Sequence, residues 1–142
     1  IAYAIKERNP QVRLVAVSAS SARVMYESVR KGVPISMPED ETLAEALSGG
    51  IGLSNRYTLP LIRELVDEHI LVDEKGIREA MLYAANQLHL LVEGGGAVAL
   101  AALLGKKWDG LGEGGGHGAA VVLSGGNVSL GRLRALNPQD PA

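Results

Sequence analysis

At 142 residues the chain is long enough for one compact domain with a real core and short for a two-domain enzyme. A formal charge of −2 offers no basic face to nucleic acid, and zero cysteines exclude a disulfide scaffold, a thiolate zinc site and a cysteine nucleophile while fitting a reducing cytoplasm. The apolar run over 97–104 is far below the ~18 residues needed to span a bilayer, so no membrane partner is expected.

The apolar period switches repeatedly between helical spacing and short buried runs, as expected of alternating helices and strands on a parallel sheet. Residues 1–9 read as an amphipathic helix stopped by Asn9-Pro10, residues 13–17 as a strand, and residues 21–31 as a helix ended by Gly32. From Val33 to Glu41, Pro34 and Pro38 mark an extended connection. Between Thr42 and Asn55 the glycines Gly49, Gly50 and Gly52 would let the backbone approach a ligand closely.

A helix over 59–68 leads into a strand at 69–72, and Asp73 reads as the N-cap of the next helix. There Ile77, Ala80, Met81, Ala84, Leu88 and Leu91 keep helical spacing and predict one buried stripe. A further helix is expected from Ala97, then a glycine-rich loop over 110–118 and a last strand over 119–123. The tail after Leu130, with Pro138 and Pro141, is expected to be poorly ordered, leaving residues 1–130 as the folded unit.

Two stretches carry chemistry. In Ala120-Val121-Val122-Leu123-Ser124-Gly125-Gly126-Asn127 an apolar strand pattern runs into a hydroxyl and two glycines. Strands of open α/β sheets deliver small polar residues in this way to the carboxyl edge, where ligands bind. The competing reading is a serine that merely opens a turn. Upstream, Glu93 stands alone between an apolar run and Gly94-Gly95-Gly96, which open a helix. As a helix-start acid it needs no further role than facing the positive end of the dipole, and helix-start amides can also face an anion. The spelling of a dinucleotide fingerprint at 110–115 fails by context, because those glycines follow a helix and precede a strand. His69, His89 and His117 have no partner at metal-ligand spacing and read as partly buried structural residues.

Taken in order with Thr42-Leu43-Ala44-Glu45-Ala46-Leu47 and Leu61-Ile62-Arg63-Glu64-Leu65-Val66-Asp67, these two stretches resemble the large domain of the threonine dehydratase and serine racemase family. Within it, residues 51–58 look similar to the hydroxyectoine-utilisation dehydratase branch. The resemblance runs from Ile1 to about Leu130. It implies a pyridoxal 5'-phosphate enzyme of the tryptophan synthase β fold type: α/β, with an open, mostly parallel sheet and helices on both faces. It places the cofactor ring against Ser124 and Gly125, with Glu93 beside it, and implies no metal site here, because Ser18 to Val24 lacks the carboxylates of cation-binding members. Glu45 and Ala46 depart from the family, where an aspartate followed by a small residue is usual.

The expected reaction is elimination of water from a β-hydroxy amino acid to a 2-oxo acid and ammonia. Alternatives are a racemase or β-replacement enzyme of the same fold type, or a noncatalytic α/β ligand-binding module. The chain starts at Ile1 inside a helix and therefore reads as a C-terminal fragment, inactive alone. The phosphate-binding tetraglycine loop and the cofactor-binding lysine are expected in a missing N-terminal half. That half and further copies, as a cytoplasmic homo-oligomer, are the expected partners.

Overall fold

The computed structural model describes residues 1–107 and 118–137. In chain order the elements are α1 (Ala2–Arg8), β1 (Val15–Ala19), α2 (Val24–Lys31), a single 3-10 turn (Glu45–Leu47), α3 (Thr58–Leu65), β2 (Glu68–Val72), α4 (Glu74–Gln87), α5 (Gly94–Leu104) and α6 (Leu130–Ala135). The strands β1 and β2 pair in parallel, with Val15 opposite Glu68 and Ala19 opposite Val72. Helix α5 packs on both strands and along α4. Between these layers lies the core, where Ala19, Val72, Ile77, Ala80, Met81 and Ala97 are buried.

Local signals read correctly where the chemistry is local. Asp73 caps α4, its Oδ1 accepting from Gly76 N at 2.8 Å. Gly32 ends α2 in the left-handed region at φ 75°, which only glycine adopts freely. The strand expected over 13–17 lies two residues later, because Leu14 is drawn into a turn contact with Asp67 before the ladder begins.

Five expectations change. The stripe of α4 stops at Ala84: the helix ends at Gln87, His89 takes φ 56°, and Leu88 and Leu91 face outward, 40% and 49% exposed. His89 itself is exposed rather than partly buried. Helix α5 starts at Gly94 rather than Ala97, since packing overrides the poor helix propensity of glycine. The strand expected over 119–123 has no strand geometry among the described residues. Its Val121 and Leu123 still pack on the core and Val122 faces out, but no ladder bond joins the segment to β1 or β2. Within the tail expected to be poorly ordered, Leu130–Ala135 is helical, capped by Ser129 and anchored by buried Leu133. The glycine-rich loop over 110–117, with His117, lies outside the described residues, as do 138–142.

The amino-terminal helix is tied down by charge. Lys6 Nζ meets Asp67 Oδ2 at 2.7 Å, and the same carboxylate accepts from Leu14 N at 2.7 Å. The Lys6 ammonium, helped by the Leu14 amide, holds the Asp67 carboxyl below its ordinary value of 3.8. A depressed carboxyl adds stability above that value and loses it as pH falls through the lowered one. Asp67→Asn is therefore expected to flatten the acid limb of unfolding below about pH 4, measured by circular dichroism. An acid limb identical to wild type would remove this contact from the acid response.

Candidate functional site

The site is built around the start of α5. Glu93 occupies the N-cap position in extended conformation, and its amide donates to Gly125 O at 3.1 Å. The Glu93 carboxylate turns to the same loop, where Oε2 accepts from Asn127 N at 3.1 Å. One residue thus holds the Ser124–Asn127 loop from both its backbone and its side chain. Gly125 sits at φ 83°, and a Cβ there would run into the Glu93 carboxylate. The loop needs glycine at this position on both counts.

Two further glycines are required by close approach. A Cβ on Gly96 would overlap the Ser124 carbonyl oxygen, and a Cβ on Gly94 would overlap the Leu43 carbonyl. The first turn of α5 is therefore clasped between two loop backbones that sequence distance separates widely. On the Leu43 side, Glu74 of α4 accepts from Thr42 Oγ1 at 2.6 Å and from Leu43 N at 2.8 Å.

A cleft of about 290 Å³ opens between these loops, walled by Leu43, Glu45 and Ala46 on one side and by Asn127, Val128 and Arg132 on the other. Glu93, Gly94, Gly95 and Met81 complete its lining. A larger depression of about 510 Å³ adjoins it, with Asp40, Glu41, Thr42, Ser48 and Glu74 on its walls. Arg132 and Glu45 line both and form an ion pair with each other.

Of the residues expected at the site, Glu93 and Gly125 are brought together and Glu93 lines the cleft. Ser124 packs its carbonyl on Gly96, while its exposed hydroxyl has no hydrogen-bond partner among the described residues. Glu74, Asn127 and Arg132 were not singled out from the sequence. Glu74 and Asn127 act through contacts 31 and 34 residues away, which no local pattern encodes. Arg132 fell in the segment expected to be poorly ordered.

The histidines stand apart. His69, on β2, has an edge-on ring contact with Tyr26 at 6.4 Å, and partial burial pushes its imidazole below the ordinary value. Among the described residues no group of three or more His, Asp or Glu side chains is placed to hold a metal ion, and no helix is long and apolar enough to cross a membrane.

The sequence profile of the family described as "Pyridoxal-phosphate dependent enzyme" matches residues 1–125. The chain belongs to this family. It is 40% identical over 131 residues to an L-threonine ammonia-lyase of Geobacter sulfurreducens, covering 92% of this chain and 31% of that protein. With a serine racemase of Oryza sativa subsp. indica it shares 35% identity over 136 residues, 94% of this chain and 39% of that one. The chain thus spans well under half the length of these relatives. The structure of maize serine racemase superposes with a TM-score of 0.80 at 35% identity, covering 94% of this chain and 41% of that one. The small parallel sheet and its helices have the fold of this pyridoxal-phosphate enzyme type.

The cleft suits the ring end of that cofactor. Gly94 and Gly95 give a floor without protruding side chains and Val128 gives an apolar wall, while Ser124 and Gly125 lie in the adjoining loop outside the cleft lining, the Ser124 hydroxyl exposed and without a hydrogen-bond partner among the described residues. No lysine lines either depression. Lys6 and Lys75 are engaged with Asp67 and Glu79, and Lys107 donates to Leu71 O.

Proposed function

We propose that the chain is the C-terminal portion of a pyridoxal-phosphate-dependent threonine or serine dehydratase, an ammonia-lyase that takes water from a β-hydroxy amino acid to give a 2-oxo acid and ammonia. The observation that carries this reading is the Ser124–Asn127 loop, locked to the start of α5 by Glu93 and leaving the Ser124 hydroxyl unengaged by described residues. The similarity to an L-threonine ammonia-lyase supports this reaction class.

Bound pyridoxal phosphate supplies the electron sink that lets an amino acid lose its α-proton and then its β-hydroxyl. Ser124 would offer the ring nitrogen a neutral hydroxyl rather than a carboxylate, a partner that would favour prompt loss of the β-hydroxyl over transamination. Glu93 and Gly125 keep the Ser124 hydroxyl in place. Val128, on the same side of the cleft, would shield the ring from water. The proton-moving lysine and the phosphate loop belong to the rest of the enzyme, which docks on this chain. Exposed Leu88, Leu90 and Leu91 beyond α4 are a suitable apolar surface for it or for a second copy.

Racemisation is the second reading, favoured by the serine racemase similarities. One experiment separates the two. The full-length enzyme given L-threonine or L-serine with the cofactor is expected to release 2-oxo acid and ammonia in equal amounts. Accumulation of the D-amino acid without 2-oxo acid would replace dehydratase by racemase, and no reaction with either would sink both. The 142-residue chain alone is expected to form no borohydride-reducible lysine adduct with the cofactor. A stoichiometric adduct at one lysine would place the reactive amine inside this chain.

A further inference from the structure

The Leu43–Ala46 wall of the cleft has no regular secondary structure until the 3-10 turn at Glu45, so its backbone amides lack ladder partners. Something else must fix it. The Leu43 amide donates to Glu74 Oε2 at 2.8 Å, the Thr42 hydroxyl donates to Glu74 Oε1 at 2.6 Å, and Thr42 Oγ1 in turn accepts from Ala44 N at 3.1 Å. One carboxylate thereby fixes three consecutive residues. Ala44 is then fully buried, and the Leu43 carbonyl presses on Gly94 at the cleft floor.

Glu74 is well placed to hold this wall. It opens α4, where a carboxylate in the first turn is favoured by the helix dipole. The helix is itself immobilised by the Asp73 cap and by buried Ile77, Ala80 and Met81. Hydrogen bonds to an ionised acceptor are about twice as strong as neutral ones. Glu74 lines the larger depression but not the cleft, so it reaches the cleft only through the residues it holds.

We propose that Glu74 is a positioning residue for amino-acid binding: its carboxylate holds the Thr42–Ala44 backbone so that Leu43, Glu45 and Ala46 form the wall against which the substrate lies. The proposal rests on the dehydratase reading for the identity of that substrate. It assigns no role to Glu74 in holding the cofactor, whose proposed loop lies on the opposite wall with Glu93 and Asn127. A merely stabilising Glu74 would affect both walls, or neither.

The test uses the full-length enzyme with bound cofactor and three variants: Glu74→Ala, Glu74→Gln, and Thr42→Val as the milder change should the first fail to fold. Amino-acid affinity is read from the change in cofactor absorbance on adding L-threonine or L-serine, cofactor affinity from titration of the apoenzyme, and the wall itself from hydrogen exchange at the Leu43 amide. Glu74→Ala is expected to free the Leu43 amide and weaken amino-acid binding by about tenfold or more, the scale on which misplaced binding groups act. Cofactor affinity should stay at the wild-type value. Glu74→Gln keeps an oxygen for Leu43 N and a donor for Thr42 Oγ1, so it should restore most of the affinity. Thr42→Val should fall between. A freed Leu43 amide with unchanged amino-acid affinity, equal loss of cofactor and amino-acid affinity, or no rescue by glutamine would each overturn the proposal. A wild-type enzyme whose absorbance responds to neither amino acid would instead overturn the dehydratase reading. Leu43 exchange then decides the clamp alone, and unchanged protection in Glu74→Ala would end it.

Discussion

Gly96→Ala is expected to be one of the most damaging single-methyl additions in the chain, although helix propensity argues for the opposite. In an exposed helix interior, alanine is better than glycine by about 1 kcal/mol. Here the new Cβ would overlap the Ser124 carbonyl oxygen, which belongs to a backbone held in place by Glu93. Backbone cannot swing aside like the end of a long side chain, and overpacking of this kind costs about 1–3 kcal/mol. The clash therefore outweighs the propensity gain, and the Ser124–Asn127 loop should lift from α5. Gly94→Ala should behave alike through the Leu43 carbonyl. Gly95→Ala should be milder, because its Cβ would meet side chains rather than backbone, the Ala46 Cβ at 3.2 Å and the Leu47 Cγ at 3.7 Å. Chemical unfolding together with hydrogen exchange at Asn127 reads both effects. A Gly96→Ala protein with wild-type stability and a protected Asn127 amide would mean that the loop is not seated on the helix at all.

The same residues show what the sequence could and could not say. Asp73, Gly32 and the apolar runs of β1 and β2 act within a few residues of themselves, so spacing alone located them. Ser124 stood out because an apolar strand pattern runs into it, Glu93 and Gly125 were placed beside it by the family resemblance, and the structure does bring Glu93 to Gly125. The start of α5 was misplaced because glycine is a poor helix former in isolation, and only the Leu43 and Ser124 carbonyls explain why nothing larger fits. Glu74 was not singled out, since its partners lie 31 and 32 residues upstream. The short helix α6 has only six residues, too few for a clear period, and depends on burial of Leu133. Local chemistry was legible. Contacts between loops became visible only in three dimensions.

Ser124→Ala and Ser124→Asp are expected to fail in different ways in the full-length enzyme. If the Ser124 hydroxyl is the partner of the cofactor ring nitrogen, alanine leaves that nitrogen unpaired. The loss should be about 1–3 kcal/mol in cofactor affinity or in dehydration rate, that is, roughly tenfold to a hundredfold. The fold should survive, because the loop is held by the Ser124 backbone against Gly96 and by Glu93, not by the side chain. Aspartate places a carboxylate where the neutral hydroxyl stood, and a negative group beside the nitrogen favours its protonated form. The ring then withdraws electrons more strongly, which favours transamination over prompt loss of the β-hydroxyl. Dehydration should slow while the pH dependence of the cofactor absorbance moves to higher pH, a shift that alanine does not produce. Cofactor titration, dehydration rate and that spectral pH profile can be measured on one set of samples. Unchanged affinity, rate and profile in both variants would leave Ser124 with no task beyond shaping the turn, and the ring would have to be held by other residues.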